Sequence, residues 1–230
     1  MTSKNIIITG TSRGIGLALV RFFIEQNYQV LAISRNTEVF NDLQKKYPNL
    51  SVLQVEITEE EGINKILNYV SKEWKKVDIL IHNAGKLIHK PFFKTSLDNF
   101  LDIYKVNVFA VAELTKVMIP FLHKGSHVVT LSSMGGIQGS MKFAGLSAYS
   151  SSKGAVIILM ELLAEEYKSS GISFNVLALG AVQTEMLGEA FPDYKAPITA
   201  DQMAKYIGHF SLTGNEVYNG KVLQVSNSTP

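Results

Sequence analysis

Short apolar runs alternate with helical patterns along most of the chain. Seven of these runs are almost continuously apolar, and they predict strands at residues 6–8, 30–33, 52–55, 79–81, 128–131, 174–179 and 222–225. Strands without apolar/polar alternation are typical of a sheet that is covered on both faces. Because helical patterns separate the strands, we expect right-handed crossovers and parallel pairing. The pattern predicts an α/β fold: a doubly wound, seven-stranded parallel sheet with helices on both faces.

Two predicted helices carry further information. One covers about residues 97–121, with Asn107 inside an apolar pattern and Pro120 near its end; the other covers about residues 147–169. The second contains six consecutive apolar residues, 155–160, which cover more than one turn of about 3.6 residues. A single core-facing stripe does not account for them. We expect these two helices to form a homodimer or homotetramer; the alternative is burial within one chain.

Composition narrows the class of protein. The chain has 230 residues, 46% of them hydrophobic, and no change of composition divides it, so one domain over residues 1–230 is expected. The 22 basic and 20 acidic residues are mixed along the chain, which argues against nucleic-acid binding. No apolar run approaches the roughly 18 residues of a membrane span, and the N-terminus lacks the apolar core of a signal peptide. With no cysteine and no metal-binding histidine pattern, we expect a soluble cytoplasmic protein without a metal site.

Three glycines stand between the first predicted strand and an amphipathic helix, in the segment 9–16 that we call the glycine turn. Gly10 permits a tight turn after the strand, Gly14 lets the backbone approach a pyrophosphate, and Gly16 allows close packing of helix and strand. Unpaired N–H groups and the positive end of the helix dipole would stabilise the phosphates. The glycine turn therefore predicts a dinucleotide site, with an ordinary glycine-rich turn as the alternative.

Tyr149 and Lys153 are four residues apart at the start of the second helix, so both side chains lie on one face. An ammonium at about 4 Å contributes about 4 kcal/mol at an effective dielectric constant near 20. That energy corresponds to a decrease of about three units in a phenol pKa, which would make Tyr149 an effective acid or base near neutral pH. Ser132 and Ser133 follow a predicted strand at its carboxyl edge, where one of them could bind a substrate oxygen. Taken singly, such residues are more often a surface helix pair or a strand-end turn.

In this order the motifs resemble those of the short-chain dehydrogenase/reductase (SDR) family, over about residues 6–225. The matching pieces are the glycine turn, Asn83-Ala84-Gly85 after the fourth strand, Asn107, Ser133, Tyr149 with Lys153, and residues 180–184. The resemblance implies a Rossmann fold. It also implies an oxidoreductase that transfers a hydride between a nicotinamide and a carbonyl or alcohol carbon of a small molecule.

The resemblance also implies roles for individual residues. Tyr149 would exchange the proton with the substrate oxygen, Ser133 would orient that oxygen, and Asn107 would hold a water in a proton relay. Lys153 would bind the nicotinamide ribose and lower the pKa of Tyr149. Ser133 is favoured because the active serine of the family is similarly the second of such a pair. Besides Tyr149 and Lys153, cofactor contacts are predicted for Gly10, Ser12, Arg13, Gly14, Ile15, Gly16, Ser34, Arg35, Glu56, Ile57, Asn83, Ala84, Gly85, Gly180, Val182 and Thr184.

The end of the second strand bears on the choice between NAD and NADP. Enzymes that select NAD usually place a carboxylate there, and it would repel a 2′-phosphate. Here the position is Ser34, followed by Arg35, and Arg13 lies within the glycine turn. The two guanidinium groups could converge on one phosphate through charge-assisted hydrogen bonds, which predicts NADP (NADPH). The alternative is that both arginines cap solvent-exposed turns.

Three residues depart from the family pattern: His82 replaces a frequent asparagine, Glu56 a usual aspartate near the adenine, and Leu179 a usual proline. We expect a structural role for His82, an uncertain adenine contact for Glu56 and a less rigid loop after Leu179.

The predicted substrate lid, about residues 185–199, is short and suggests an open pocket. Apolar candidates for its lining favour an apolar substrate body, with packing in the core as the alternative for each: Ile88, Met134, Phe143, Met186 and Phe191. Two other functions stay open at this point. The chain could be a catalytically idle NADP-binding sensor or scaffold, or an epimerase or dehydratase that retains its cofactor.

Overall fold

Seven parallel strands form the main sheet of the computed structural model, which describes residues 3–226. In chain order the strands are β1 (Asn5–Thr9), β2 (Gln29–Ser34), β3 (Leu50–Gln54), β4 (Val77–His82), β5 (Leu122–Ser133), β6 (Ser173–Leu179), β7 (Val182–Gln183), β8 (Ile198–Thr199) and β9 (Val222–Val225). The order across the main sheet is β3-β2-β1-β4-β5-β6-β9, and the short β7 and β8 pair separately. The predicted fold class is confirmed; residues 1–2 and 227–230 of the predicted domain lie outside the described residues.

The central strands are apolar where both faces of the sheet are covered, although β5 begins with a polar stretch, residues 123–127. Ile7 of β1 lies in register between Leu31 of β2 and Leu80 of β4, and all three are buried. Successive side chains of a strand point to opposite faces. Accordingly Ile6 and Ile8 belong to one apolar cluster and Ile7 to a second cluster on the other face.

Eight α-helices occur within residues 3–226. They are α1 (Gly14–Glu25), α2 (Asn41–Lys46), α3 (Glu60–Tyr69), α4 (Leu97–Tyr104), α5 (Ala110–Met118), α6 (Ser147–Glu166), α7 (Glu185–Ala190) and α8 (Ala200–Thr213). Apolar residues of α1 and α8 pack in the first cluster, and those of α3, α5 and α6 in the second. None of the helices in this range is long and apolar enough to cross a membrane.

The helix predicted over residues 97–121 is not one continuous α-helix. It consists of α4, a π-helical turn (Lys105–Phe109), α5 and a 3₁₀ turn (Ile119–Phe121). The π-helical turn contains Asn107, which is 1% exposed. π-helical turns inside α-helices frequently occur at functional sites. The helix predicted over residues 147–169 matches α6 and the 3₁₀ turn Lys168–Ser170 that follows it.

The carboxyl ends of the strands meet at one edge of the sheet. Thr9, His82 and Ser133 end β1, β4 and β5 there. Strand order reverses between β1 and β4, since β2 and β3 lie on one side of β1 and the later strands on the other. In open α/β sheets such a switch point is where ligands bind.

Candidate active site

A cleft of about 700 Å³ follows this edge of the sheet. The glycine turn, the ends of β2, β4, β5 and β6, and the first residues of α6 and α7 line it. All the residues predicted to contact the cofactor are in its lining, together with Ser133, Tyr149 and Lys153. Asn107 is not; it is buried behind the wall of the cleft.

The glycine turn has the geometry that the spacing predicts. Gly10 has a φ of +71°, and a Cβ at Gly16 would overlap the carbonyl oxygen of Gly10. The Asn83 amide donates hydrogen bonds to the carbonyl oxygens of Thr9 (2.9 Å) and Gly10 (2.8 Å). Asn83 therefore holds the turn in place through its side chain.

The first turn of α1 fits a phosphate group. No side chain caps this end of the helix, and its first turn has no acidic residue. Backbone N–H groups and the positive end of the helix dipole consequently face the cleft without a competing carboxylate of their own helix. The end of β2 adds the buried Ser34 hydroxyl and the exposed Arg35 side chain.

The two serines at the end of β5 have different surroundings. The Ser132 hydroxyl is buried and donates a hydrogen bond to the backbone oxygen of Lys153 (2.8 Å). The Ser133 hydroxyl accepts a hydrogen bond from the Gly135 N–H (3.2 Å) and also interacts with the Tyr149 phenol. Ser133 is therefore the serine whose hydroxyl is placed beside the phenol.

Tyr149 and Lys153 lie on the first turns of α6. The Lys153 ammonium donates a hydrogen bond to the backbone oxygen of Leu131 (2.8 Å) and lies 5.8 Å from the centre of the Tyr149 ring. Burial lowers the pKa of Lys153 from 10.5 to about 8.

The pKa of Tyr149 shifts opposite to the prediction. Burial raises it, the hydrogen bond with Ser133 opposes the rise, and the net shift is upward. The predicted lowering by Lys153 is thus absent in the protein alone. The ammonium is directed at the Leu131 carbonyl group, and desolvation of the phenolate is the larger effect.

Asn107 is held by three hydrogen bonds. Its Oδ1 accepts from the Lys86 N–H (2.8 Å), and its Nδ2 donates to the Lys86 backbone oxygen (3.0 Å) and the Ser152 hydroxyl (2.9 Å). The side chain thereby joins the segment after β4 to α6. A Cβ on Gly85 would lie 3.7 Å from both Asn107 Oδ1 and Lys153 Nζ, so these two polar groups border a common space.

Each arginine predicted to bind a phosphate is paired with a carboxylate. Arg13 contacts Glu189 of α7 at 2.5 Å, and Arg35 contacts Glu56 at 3.5 Å. The hydrogen bond with Glu189 raises the pKa of Arg13, and Arg13 lowers the pKa of Glu189. The convergence of both guanidinium groups on one phosphate stays a prediction.

His82 has structural partners, as expected. Its Nε2 lies 2.8 Å from the Thr115 hydroxyl, which itself donates to the Val111 backbone oxygen. Thr115 therefore accepts from an Nε2–H of His82. Complete burial lowers the His82 pKa to about 3, so the ring is neutral at physiological pH.

Four of the five predicted lining residues reach the cleft: Met134, Phe143, Met186 and Phe191. Ile88 does not, and that prediction was wrong; Leu87 takes its place because Asn107 fixes Lys86, the residue before it. The Phe191 ring packs against those of His89 (4.9 Å) and Phe143 (6.2 Å). The lining residues missed from the sequence include Lys86, Leu87, Glu185, Glu189 and Tyr194. They lie in loops and in the lid, where no periodic pattern indicates which side chain faces a cleft.

Among the residues described, no group of three or more His, Asp and Glu side chains could hold a metal ion.

Comparison with known proteins gives matches over most of the chain. The family described as short chain dehydrogenase matches residues 4–195. The L-fucose dehydrogenase of Bos taurus is 28% identical over 98% of this chain and 84% of its own length. The structure of ElxO with NADP bound is 28% identical, with a TM-score of 0.85 over 97% of both chains. A 4-hydroxyisoleucine dehydrogenase complexed with NADH is 23% identical, with a TM-score of 0.88 over 98% of both chains, and shows the same fold.

Proposed function

The chain belongs to the short-chain dehydrogenase family, and we propose that it is an NADP-dependent enzyme that interconverts a carbonyl and an alcohol group. As a member of this family it is an oxidoreductase of the dehydrogenase type. The observation that carries the finer proposal is the cluster of Ser133, Tyr149 and buried Lys153 at one end of the cleft. The glycine turn lines the same cleft.

In this proposal the nicotinamide, when bound, supplies or accepts the hydride. Ser133 donates a hydrogen bond to the substrate oxygen, and Tyr149 gives that oxygen its proton during reduction. Burial raises the Tyr149 pKa, so the phenol carries its proton near neutral pH, although the higher pKa also makes it a weaker proton donor. Lys153 holds the ribose. A water bordered by Asn107 Oδ1 and Lys153 Nζ would return the proton from solvent.

The choice of NADP is supported by charge around the cleft. β2 ends at Ser34 and not at a carboxylate, Arg35 follows Ser34, and Arg13 lines the same cleft. Both guanidinium groups are accessible, because their side chains are 80% and 50% exposed. A 2′-phosphate would bring two negative charges to this region at neutral pH and attract both.

The Arg35→Ala variant tests the cofactor proposal. Hydrogen bonds to charged groups contribute about 1.5–3 kcal/mol each, so we expect kcat/KM for NADPH to fall roughly 10- to 100-fold. The value for NADH should change little, since NADH has no phosphate at this position. Steady-state rates with both nucleotides side by side give the comparison. Arg21→Ala, which removes an exposed arginine of α1 outside the cleft lining, is the matched control. A wild-type enzyme that clearly prefers NADH would contradict the proposal.

We also propose that the chain forms a homodimer or homotetramer through α4, α5 and α6. Ile158 and Leu162 of α6 are 60% and 61% exposed, and Phe109 of the neighbouring π-helical turn is 50% exposed. A contiguous exposed apolar surface is typical of an interface between subunits. The apolar run at residues 155–160 therefore has one side in the core and one side available to a second copy.

The Ile158→Lys/Leu162→Lys variant is expected to lower the molar mass in solution by at least one half. Two lysines on each copy would face each other across the interface without partners, and burying such charges is unfavourable. Light scattering after size-exclusion chromatography measures the mass. Val39→Lys, at a position 38% exposed in the 3₁₀ turn Glu38–Phe40 before α2, should leave it unchanged. A monomeric wild-type protein, or an unchanged mass in the double variant, would show that these helices form no interface.

A further inference from the structure

Arg13 of the glycine turn has a carboxylate partner 176 residues further along the chain. Its Nη1 donates to Glu189 Oε1 at 2.5 Å and its Nη2 lies 3.4 Å from Oε2. Each of the two nitrogens thus faces one carboxylate oxygen, which is the bidentate arrangement in which a guanidinium binds a carboxylate. Glu189 belongs to α7, so this pair joins the predicted phosphate site to the substrate lid.

The lid is anchored beside the glycine turn at its base as well. The Thr184 hydroxyl caps α7 by accepting a hydrogen bond from the Leu187 N–H at 3.3 Å. A Cβ on Gly14 would lie 3.3 Å from the Thr184 methyl group and 3.4 Å from a Glu185 carboxylate oxygen. Thr184 and Glu185 therefore lie beside Gly14 without any contribution from Glu189. Loss of the Arg13–Glu189 pair would therefore leave the base of the lid in place.

The N–H groups of Arg13 that bind Glu189 cannot bind a second anion at the same time. Each guanidinium N–H has one strong acceptor, and here the two outer nitrogens are directed at Glu189. A 2′-phosphate that takes up these groups must displace the carboxylate. NADH has no such phosphate and leaves the pair intact.

We propose that Glu189 is a specificity-determining residue that competes with the 2′-phosphate for Arg13. This inference rests on the proposed NADP-dependent function. Glu189 then weakens NADPH binding selectively, and NADPH, unlike NADH, frees the Glu189 carboxylate from Arg13 while the base of the lid stays in place. The lid thereby senses which nucleotide is bound through the partner that Arg13 takes.

Nucleotide binding to Glu189→Gln, without substrate, tests this proposal. The dissociation constants for NADPH and NADH are measured by titrating the fluorescence of the reduced nicotinamide. An exposed ion pair is worth little, so we expect NADPH to bind about two- to fivefold more tightly and NADH to bind unchanged. In an Arg13→Gln background the same substitution should have no effect on either nucleotide.

Glu61→Gln is the matched control. It removes one negative charge and one exposed pair, Glu61 with Lys65 at 2.7 Å, on α3 outside the cleft lining. Both affinities should stay the same in this variant. Glu189→Asp keeps the charge on a side chain one methylene shorter, and it should give an NADPH affinity between those of the wild type and Glu189→Gln.

Equal changes for both nucleotides in Glu189→Gln, or an effect that persists with Arg13→Gln, would overturn the role of Glu189. An unchanged NADPH affinity in Glu189→Gln would overturn it too, and would leave the NADP-dependent function standing. A wild-type protein that binds neither nucleotide would instead overturn the proposed function, and this inference with it.

Discussion

Replacing Tyr149 with phenylalanine is expected to lower kcat for carbonyl reduction by about 10²- to 10⁴-fold, the usual contribution of a general acid. The substitution removes one oxygen and keeps the ring, so the packing around Lys153 and Ser133 should change little. Because the proposed role of Tyr149 is to act on the substrate oxygen, the dissociation constant for NADPH should stay within about twofold. Single-turnover rates and nucleotide titrations separate these two effects.

Tyr167→Phe is the matched control for this experiment. Tyr167 follows the last residue of α6, packs against Phe174 and is not in the cleft lining. The same chemical change at that position should leave kcat unaltered. If Tyr149→Phe retained wild-type kcat while NADPH still bound, Tyr149 would not be the acid, and a catalytically idle NADP-binding protein or a different proton donor would be favoured.

Replacing Lys153 with methionine is expected to reduce activity and increase stability. The charge-assisted hydrogen bonding to the ribose in the proposed function would be lost, which lowers kcat/KM by about 10²-fold or more. The buried ammonium also has an unfavourable desolvation energy, shown by its pKa of about 8 instead of 10.5. Methionine has similar length and no charge, so the free energy of unfolding near pH 7 should rise.

The desolvation of Lys153 also makes the free energy of unfolding depend on pH. Between pH 8 and 10.5 the unfolded chain keeps a proton on Lys153 that the folded chain has lost. The free energy of unfolding therefore increases with pH in this interval, by up to about 3 kcal/mol for this shift. Urea denaturation at about pH 7.5 and about pH 9.5, on either side of the Lys153 pKa, should show this increase in the wild type. In Lys153→Met the part of the increase that is due to Lys153 should be absent.

Lys168→Met controls for the loss of a positive charge. Its ammonium lies 3.4 Å from Glu165 and its side chain is 69% exposed, so neither activity nor the pH dependence of stability should change. A Lys153→Met variant that is less stable than the wild type at pH 7.5 would mean that the hydrogen bond to Leu131 outweighs the desolvation of the ammonium.

The parts of the structure that the sequence predicts are those with a local or periodic cause. Each of the seven strands of the main sheet overlaps a predicted apolar run, because a strand buried on both faces favours apolar residues. The first half of β5, residues 122–127, is mostly polar and gives no such signal. The glycine turn follows from the positive φ at Gly10 and from the close approach of Gly16 to the Gly10 carbonyl oxygen, both of which lie within the segment itself. The position of Ser133 beside Tyr149 follows from the family motif. The structure adds that the Ser132 hydroxyl donates its hydrogen bond to the backbone of Lys153 in α6.

Other features depend on contacts between distant parts of the chain. The Arg13–Glu189 pair joins the first helix to the lid, and no spacing in the sequence indicates it. The π-helical turn at Asn107 forms where that amide reaches the backbone of Lys86, in a different segment. The raised pKa of Tyr149 is a result of burial, which depends on everything packed around the phenol.

We propose that this cleft transfers a hydride from NADPH to a carbonyl carbon, with Tyr149 supplying the proton. A panel of aldehydes and ketones with apolar bodies, followed by NADPH absorbance and by product analysis, is the decisive experiment. We expect consumption of one NADPH for each alcohol formed with at least one member of the panel, and a far smaller rate with Tyr149→Phe. Tight NADPH binding with no net NADPH consumption, or with products isomerised or dehydrated instead of reduced, would contradict it.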